Sequence, residues 1–123
     1  MIRQLFLVGA GGAAGTMLRF LINRFSDSFN PSGFPFATFF INCTGSFLIG
    51  LFMGVFLKDP AADPLWKLLF ITGFCGGYTT FSAFAAENLK LLQTNQVLTA
   101  LAYILLSSIV GIGSVWLGLR IMK

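Results

Sequence analysis

The sequence predicts an all-α membrane protein with four transmembrane helices. Of its 123 residues, 56% are hydrophobic and only 10% are charged, and the mean hydropathy is +0.85. An ordinary soluble domain carries about 25% charged residues, so this composition belongs in lipid. The few charges also leave long uncharged stretches, and a helix needs roughly 20 apolar residues to cross a bilayer. These stretches lie between Arg3 and Arg19, Asp27 and Lys58, Lys67 and Glu87, and Lys90 and Arg120.

The four helices are predicted over residues 3–24, 35–57, 65–90 and 96–121, forming a single transmembrane domain over residues 1–123. The first is a membrane helix rather than a cleaved signal peptide, because its apolar run continues through Arg19 without a small-residue cleavage site. Turn residues separate the first two helices at 30–33 and the next two at 58–60.

Small residues recur at helix-packing intervals in three of the predicted helices. Such stripes allow helix backbones to approach closely, so we expect them to pack the four-helix bundle. They are Gly11 and Gly15 in the first helix, Ser46, Gly50 and Gly54 in the second, and Ser107, Gly111, Ser114 and Gly118 in the fourth.

The third helix is predicted to be broken at its centre. Residues 73–84 contain the adjacent glycines Gly76 and Gly77, followed by Thr79 and Thr80, and helix propensity is poor there. A break frees backbone groups that lipid cannot satisfy, so it must be buried in protein or line a polar cavity. The pattern alone allows either an ion site or a kink satisfied by neighbouring hydroxyls.

Composition excludes several functions. The net charge of +4 comes from basic residues scattered between apolar segments, which form no nucleic-acid-binding patch. Cys43 and Cys75 fall inside predicted helices and have neither disulfide nor metal-site spacing, so we expect them to pack. The chain has no histidine, and most of its acids lie in loops. We therefore expect no enzyme activity.

The distribution of basic residues predicts insertion in both orientations. With four crossings both termini lie on one side, and the excess of basic residues there is too small to fix one orientation. An antiparallel homodimer is therefore possible. The side of the termini carries Arg3, Lys58, Lys67, Arg120 and Lys123, against Arg19, Arg24 and Lys90 on the other.

Two phenylalanines after the break are candidate anion contacts. Phe81 and Phe84 are three residues apart and share a helix face, with Asn88 following on the same side. The edge of an aromatic ring is positive, so an edge-on phenylalanine can attract an anion without binding it as tightly as a cation would. The alternative is ordinary core packing.

Polar residues inside the predicted helices complete the candidates, because a polar side chain in lipid is costly unless it is paired. Asn42 either bonds to another helix or replaces water around an anion. Tyr103 and Ser107 form a polar pair one turn apart. Glu87 is an acid that lies within a predicted span. A carboxylate inside the membrane indicates a functional site. An ion pair between Glu87 and Lys90 at the end of the span is an equally good explanation.

The whole chain resembles a known family. The pattern Gly-Phe-x-Gly-Gly-x-Thr-Thr-Phe-Ser-x-Phe at 73–84 is long and unusual enough to be specific. Together with Asn42 ahead of Gly45, and Gly-x-x-Gly-x-x-x-Arg from Gly12 to Arg19, it resembles the small dual-topology fluoride channels (Fluc, or CrcB-type).

This resemblance implies an antiparallel homodimer that exports fluoride passively across the bacterial cytoplasmic (inner) membrane. It implies two fluoride pores and a structural sodium ion at the centre. One departure is Gly111, which stands where some members carry a serine. By position, the resemblance assigns Phe81, Phe84, Asn42, Ser107, Tyr103, Thr80 and Glu87 to the fluoride pore, Arg19 to a vestibule, and the carbonyls of Gly76 and Thr79 to sodium.

Two other classes of protein compete with this interpretation. A small four-helix dual-topology drug or cation exporter is expected to carry a carboxylate in its first helix, but no acid precedes Asp27. A haem- or quinone-anchoring subunit would need histidine ligands, which the sequence lacks.

Overall fold

The predicted membrane crossings are confirmed by the structure, a computed structural model that describes residues 1–30 and 32–123. Helix α1 spans Ile2–Asp27, α2 spans Phe36–Lys58, the third crossing occupies Pro64–Gln93, and the last helix covers Val97–Met122. All four are long and apolar enough to cross a membrane. The predicted turn at 30–33 includes position 31, which lies outside the described residues.

The third crossing consists of several helical pieces. Helix α3 (Pro64–Lys67) continues into a π-helical stretch, Leu68–Cys75, and then into a short α4, Gly76–Tyr78. The chain next becomes extended before α5 (Phe81–Gln93) completes the crossing, and α6 is Val97–Met122. The predicted central break is thus confirmed.

The break lies later in the sequence than the glycine pair suggested. Gly76 has helical angles (φ −63°, ψ −37°) and Gly77 lies within α4, whereas Thr79 and Thr80 are extended, with ψ of 156° and 119°. Gly77 serves another purpose, since a Cβ there would overlap the backbone of Gly12 in α1. The glycine allows α1 to approach the third crossing, and the threonines form the break.

Helix α1 packs backbone-to-backbone against the first half of the third crossing. A Cβ at Gly11 would overlap the Leu69 carbonyl oxygen, and one at Gly15 would overlap that of Phe74. The packing interpretation of these two glycines is confirmed. Cys75, which lies in the same crossing, is fully buried with a free thiol.

Helices α2 and α6 form a second glycine-packed pair and run parallel to each other. A Cβ at Gly50 would overlap the Val115 carbonyl oxygen, and one at Gly118 would overlap that of Phe47. A Cβ at Gly54 would overlap the side-chain Cβ of Met122 near the end of α6. Close packing therefore also explains Gly50 and Gly54 in the α2 stripe and Gly118 in the α6 stripe.

A small hydrophobic core joins α5 to α6. Leu91, Ala100 and Tyr103 are buried together, and Phe84 packs against them. The turn between α5 and α6 is tight, and Asn95 adopts the left-handed conformation there with φ of 59°. This turn returns α6 alongside α5 and brings Tyr103 towards the break.

Candidate functional site

The break in the third crossing is closed by a side chain from α2. The Asn42 Oδ1 atom accepts the Thr80 N–H at 2.8 Å, and Asn42 Nδ2 donates to the Thr80 carbonyl at 3.0 Å. Thr80 also caps α5, because its Oγ1 accepts the Ala83 N–H at 3.2 Å. Of the two alternatives for Asn42, bonding to another helix is therefore observed.

A second set of side chains holds the other flank of the break from α1. Arg19 Nε donates to the Gly77 carbonyl at 3.1 Å, and Thr16 Oγ1 donates to the same carbonyl at 3.3 Å. The sequence placed Arg19 at a vestibule and did not predict this bond. A signal was present, since Thr16 and Arg19 are three residues apart and so share a helix face.

The carbonyls at the break differ in their bonding. Within the described part of the chain, the carbonyl oxygens of Cys75, Gly77 and Thr80 accept the hydrogen bonds at the break. The carbonyls of Gly76 and Thr79, the two assigned to sodium, are not among these acceptors. They are neutral oxygens, one in the short helix α4 and one in the extended segment that follows it, and such oxygens suit a hard monovalent cation.

An open pocket of about 230 Å³ lies beside the break. Its walls combine amide, hydroxyl and aromatic groups, with no charged residue among the lining residues described. The pocket is lined by Asn42, Ser46, Ile49, Thr79, Thr80 and Phe81. It therefore brings together three of the predicted pore residues with one of the residues assigned to sodium.

The two candidate phenylalanines lie together but differ in exposure. Their ring centroids are 5.7 Å apart with an interplanar angle of 41°, so they do share a face. Phe84 packs edge-on against Tyr103, with centroids 5.0 Å apart, whereas Phe81 is 79% exposed. Asn88 is buried behind them and donates to the Phe84 carbonyl at 2.9 Å. A single chain thus leaves the Phe81 ring available to an ion or a second subunit.

Glu87 joins three helices. Thr38 of α2 donates to its Oε1 at 2.5 Å, and Tyr103 of α6 donates to its Oε2 at 3.2 Å. The carboxylate therefore bonds to hydroxyl groups, and of the two alternatives for Glu87 the ion pair with Lys90 is not observed among the described residues. A pocket of about 330 Å³ and one of about 200 Å³ both border Glu87.

The predicted pair of Tyr103 and Ser107 is not a bonded pair. Tyr103 bonds to Glu87, while the Ser107 Oγ is buried and has no hydrogen-bond partner within the described residues. At Gly111, where some members carry a serine, an added Cβ would make an ordinary contact with the Ser46 Oγ, at 3.9 Å. Ser107 is accordingly a hydroxyl donor that the protomer does not use.

Two further polar contacts were missed from the sequence. Thr38, one turn before Asn42 on α2, donates to Glu87. Thr44 and Tyr78 share a hydrogen bond of 2.9 Å that links α2 to α4. Among the described residues, no three His, Cys, Asp or Glu side chains come close enough together to hold a metal ion.

Comparison with known proteins gives matches along nearly the whole chain. Residues 6–119 match the family described as CrcB-like protein, Camphor Resistance (CrcB). A Flavobacterium psychrophilum protein named fluoride-specific ion channel FluC is 46% identical over 122 residues, covering 99% of this chain and 98% of the relative. Proteins of the same name from Azobacteroides pseudotrichonymphae and Rhizobium meliloti are 43% and 40% identical, over 96% and 99% of this chain and 94% and 98% of their own lengths. The chain belongs to the CrcB family.

Proposed function

We propose that this protein is a passive, fluoride-selective ion channel that exports fluoride across the inner membrane. Its family and its four crossings make it a multi-pass protein of that membrane, and its relatives carry the name fluoride-specific ion channel. The observation that carries the proposal is the pocket beside the break, where neutral hydrogen-bond donors meet an exposed aromatic ring.

The chemistry of this pocket suits fluoride. Fluoride is small, strongly hydrated and a strong hydrogen-bond acceptor, so a narrow path must replace its water with donors yet bind it weakly enough for release. Asn42 retains one amide hydrogen after bonding to Thr80. The Ser107 hydroxyl is uncommitted in the described residues, and the edges of Phe81 and Phe84 extend the path with weak attraction.

The remaining candidates lie at the two ends of this path. Arg19 uses its Nε for the Gly77 carbonyl, so the other guanidinium hydrogens remain for an approaching anion in a vestibule. Glu87 and Tyr103 border the path beyond Phe84, where both carboxylate oxygens already accept hydroxyl donors. These bonds reduce the repulsion that Glu87 exerts on an anion.

The working unit in this proposal is an antiparallel homodimer with two pores. One protomer leaves the pocket open and 79% of Phe81 exposed. A second copy would cover both and turn the open pocket into a conduit. Because the two copies are identical, a two-fold arrangement gives two equivalent pores.

A structural sodium ion at the centre of the dimer completes the proposal. The carbonyls of Gly76 and Thr79 would hold it, and the same two carbonyls of a second copy would complete its coordination. Bound there, sodium supplies a fixed positive charge that joins the two broken helices and raises the potential near both pores.

Fluoride release from liposomes tests the channel. A passive channel moves net charge, so liposomes loaded with potassium fluoride should release fluoride to an electrode only after valinomycin provides a path for potassium. Liposomes loaded with potassium chloride serve as the control and should release little. Release without valinomycin would indicate coupled, electroneutral transport, and release of an organic cation instead would favour the exporter.

Two further measurements test the assembly. Ala61→Cys in the loop between α2 and α3 should be labelled by an impermeant thiol reagent from both sides of the membrane; labelling from one side would exclude dual orientation. Isotopic sodium should not accompany fluoride, and sodium flux in proportion to fluoride flux would exclude a static ion.

A further inference from the structure

We propose that Asn42 is a positioning residue, whose amide holds the broken backbone at Thr80 and thereby fixes the Phe81 ring in the pore. This inference rests on the proposed function, which gives Phe81 its role. The observation is the reciprocal pair of hydrogen bonds, 2.8 Å and 3.0 Å, between the Asn42 amide and the backbone of Thr80.

The break creates a specific need at Thr80. In a continuous helix the Thr80 N–H would bond to the carbonyl four residues earlier, at Gly76. The extended conformation of Thr79 and Thr80 removes that bond in the middle of a membrane crossing. Lipid offers no replacement, and each unsatisfied backbone group there is costly.

Asparagine is well suited to supply both missing partners. Its side-chain amide carries the same donor and acceptor as a peptide group. Asn42 therefore pairs with Thr80 as a neighbouring strand would, through one accepted and one donated bond. Serine or threonine offers one oxygen in place of the two separate atoms that meet Thr80 here.

The position of Phe81 depends on this pair. Phe81 is the first residue of α5 and directly follows Thr80. On the other flank, Thr16 and Arg19 hold the Gly77 carbonyl from α1. The two extended residues are thus fixed at both ends by different helices, and losing Asn42 frees the end that carries Phe81.

The same geometry limits how Asn42 contacts an ion directly. Of its two amide hydrogens, one is committed to the Thr80 carbonyl, and its oxygen is committed to the Thr80 N–H. Direct contact is restricted to a single N–H. Loss of conduction after substitution of Asn42 should therefore be accompanied by a change in the Thr80 backbone.

Hydrogen exchange at the Thr80 amide tests this directly, on full-length protein in lipid nanodiscs without fluoride. Asn42→Leu removes both bonds at similar side-chain size and should speed exchange of the Thr80 amide by about tenfold or more. Ser46→Ala is the matched control, because Ser46 lines the same pocket one turn away but does not bond to Thr80. It should leave Thr80 exchange within about twofold of wild type.

A second variant covers the case in which Asn42→Leu fails to fold. Asn42→Asp keeps the acceptor for the Thr80 N–H and loses the donor to its carbonyl, so the Thr80 amide should stay protected. In the wild-type protein the Thr80 amide should also exchange more slowly than that of Ser82, since first-turn amides have no acceptor within their own helix.

The outcomes separate this inference from the proposed function. Faster Thr80 exchange together with reduced fluoride release in Asn42→Leu supports positioning. Unchanged Thr80 exchange in Asn42→Leu, or a wild-type Thr80 amide as fast as that of Ser82, overturns it. If wild-type liposomes release no fluoride, the channel proposal fails, whereas the exchange result still decides whether Asn42 holds the break.

Discussion

The glycine-packed pairs and the broken third crossing use backbone polar groups in opposite ways. Where α2 meets α6, Gly50 and Gly118 allow the helices to touch backbone-to-backbone, while each helix keeps its own hydrogen bonds. At the break, Thr79 and Thr80 leave the helix, and side chains of α1 and α2 bond to the backbone instead. Close packing of small residues thus holds the bundle, whereas polar side chains hold the break.

If this division is correct, the largest loss of stability should come from a glycine in a helix pair. Gly50→Ala adds a methyl group that would overlap the Val115 carbonyl oxygen. Backbone cannot move aside easily, so we expect a loss of about 2 kcal/mol in the free energy of unfolding. Titration with a denaturing detergent would measure it.

The matched control is Gly113→Ala in α6, where no atom of another described helix lies within 4 Å of the position that the added methyl group would occupy. It should be neutral or stabilise by up to about 1 kcal/mol, because alanine favours helix more than glycine does. Fluoride release per folded Gly50→Ala protein should remain normal. A channel that folds well but conducts poorly would break the comparison, because it would make the α2–α6 pair part of the pore.

The second prediction concerns Phe81 and Phe84, whose substitution should reduce fluoride release and leave stability unchanged. Replacement of either ring by isoleucine keeps apolar bulk but removes the positive ring edge. Loss of about 1.4 kcal/mol of ion stabilisation corresponds to about tenfold in rate, so fluoride release at matched dimer content should fall about tenfold or more. The yield of each variant and the size of its assembly should match those of wild type.

Phe6→Ile provides the control, since Phe6 is another exposed phenylalanine, on α1 and away from the pocket. Its fluoride release should equal that of wild type. If Phe81→Ile and Phe84→Ile conduct normally, the pore has been assigned to the wrong residues. If they instead dissociate the dimer, the rings are packing residues like the glycines.

The fold could be predicted from the sequence because lipid imposes strong constraints. Long apolar runs gave four crossings with ends correct to within a few residues, and small-residue spacing identified Gly11, Gly15 and Gly50 as packing positions. The break was found because poor helix formers are unusual in a span. Within the predicted stretch the threonines form the break, since Gly77 is required by the approach of Gly12 and not by the break itself.

The contacts of the site could not be predicted in the same way. Helical spacing shows which side chains share a face, but not which neighbouring helix they meet. Thr38 and Asn42 lie one turn apart on α2, yet Thr38 bonds to Glu87 and Asn42 bonds to Thr80. Whether Glu87 bonds to Lys90 or to hydroxyl groups likewise depends on where α6 places Tyr103.

The third prediction concerns the junction at Glu87, where α2, α5 and α6 meet. Thr38→Val keeps the shape of the side chain but leaves Glu87 Oε1 without its donor from α2. We expect a loss of about 1 kcal/mol in the free energy of unfolding. Ser108→Ala is the control, because Ser108 is exposed and bonds only within α6, and it should change stability by less than about 0.5 kcal/mol. Equal losses in the two variants would show that the Thr38 bond does not stabilise the junction.

The smallest effect is expected for Asn95→Gly in the turn between α5 and α6, which lies outside both regions and therefore provides a baseline. Asn95 has φ of 59°, a conformation that asparagine tolerates better than other side chains. Asn95→Gly should change the free energy of unfolding by no more than about 0.5 kcal/mol, because relief of strain is offset by greater freedom of the unfolded chain. Asn95→Val, with a branched Cβ, should destabilise by about 1–2 kcal/mol.

Fluoride release per folded dimer should be unchanged in both, because the turn does not line the pocket beside the break. Reduced release from a folded Asn95→Val channel would mean that strain at this turn reaches Tyr103 and Glu87 through α6. The separation between the residues that hold the fold and those that conduct would then not apply to α6.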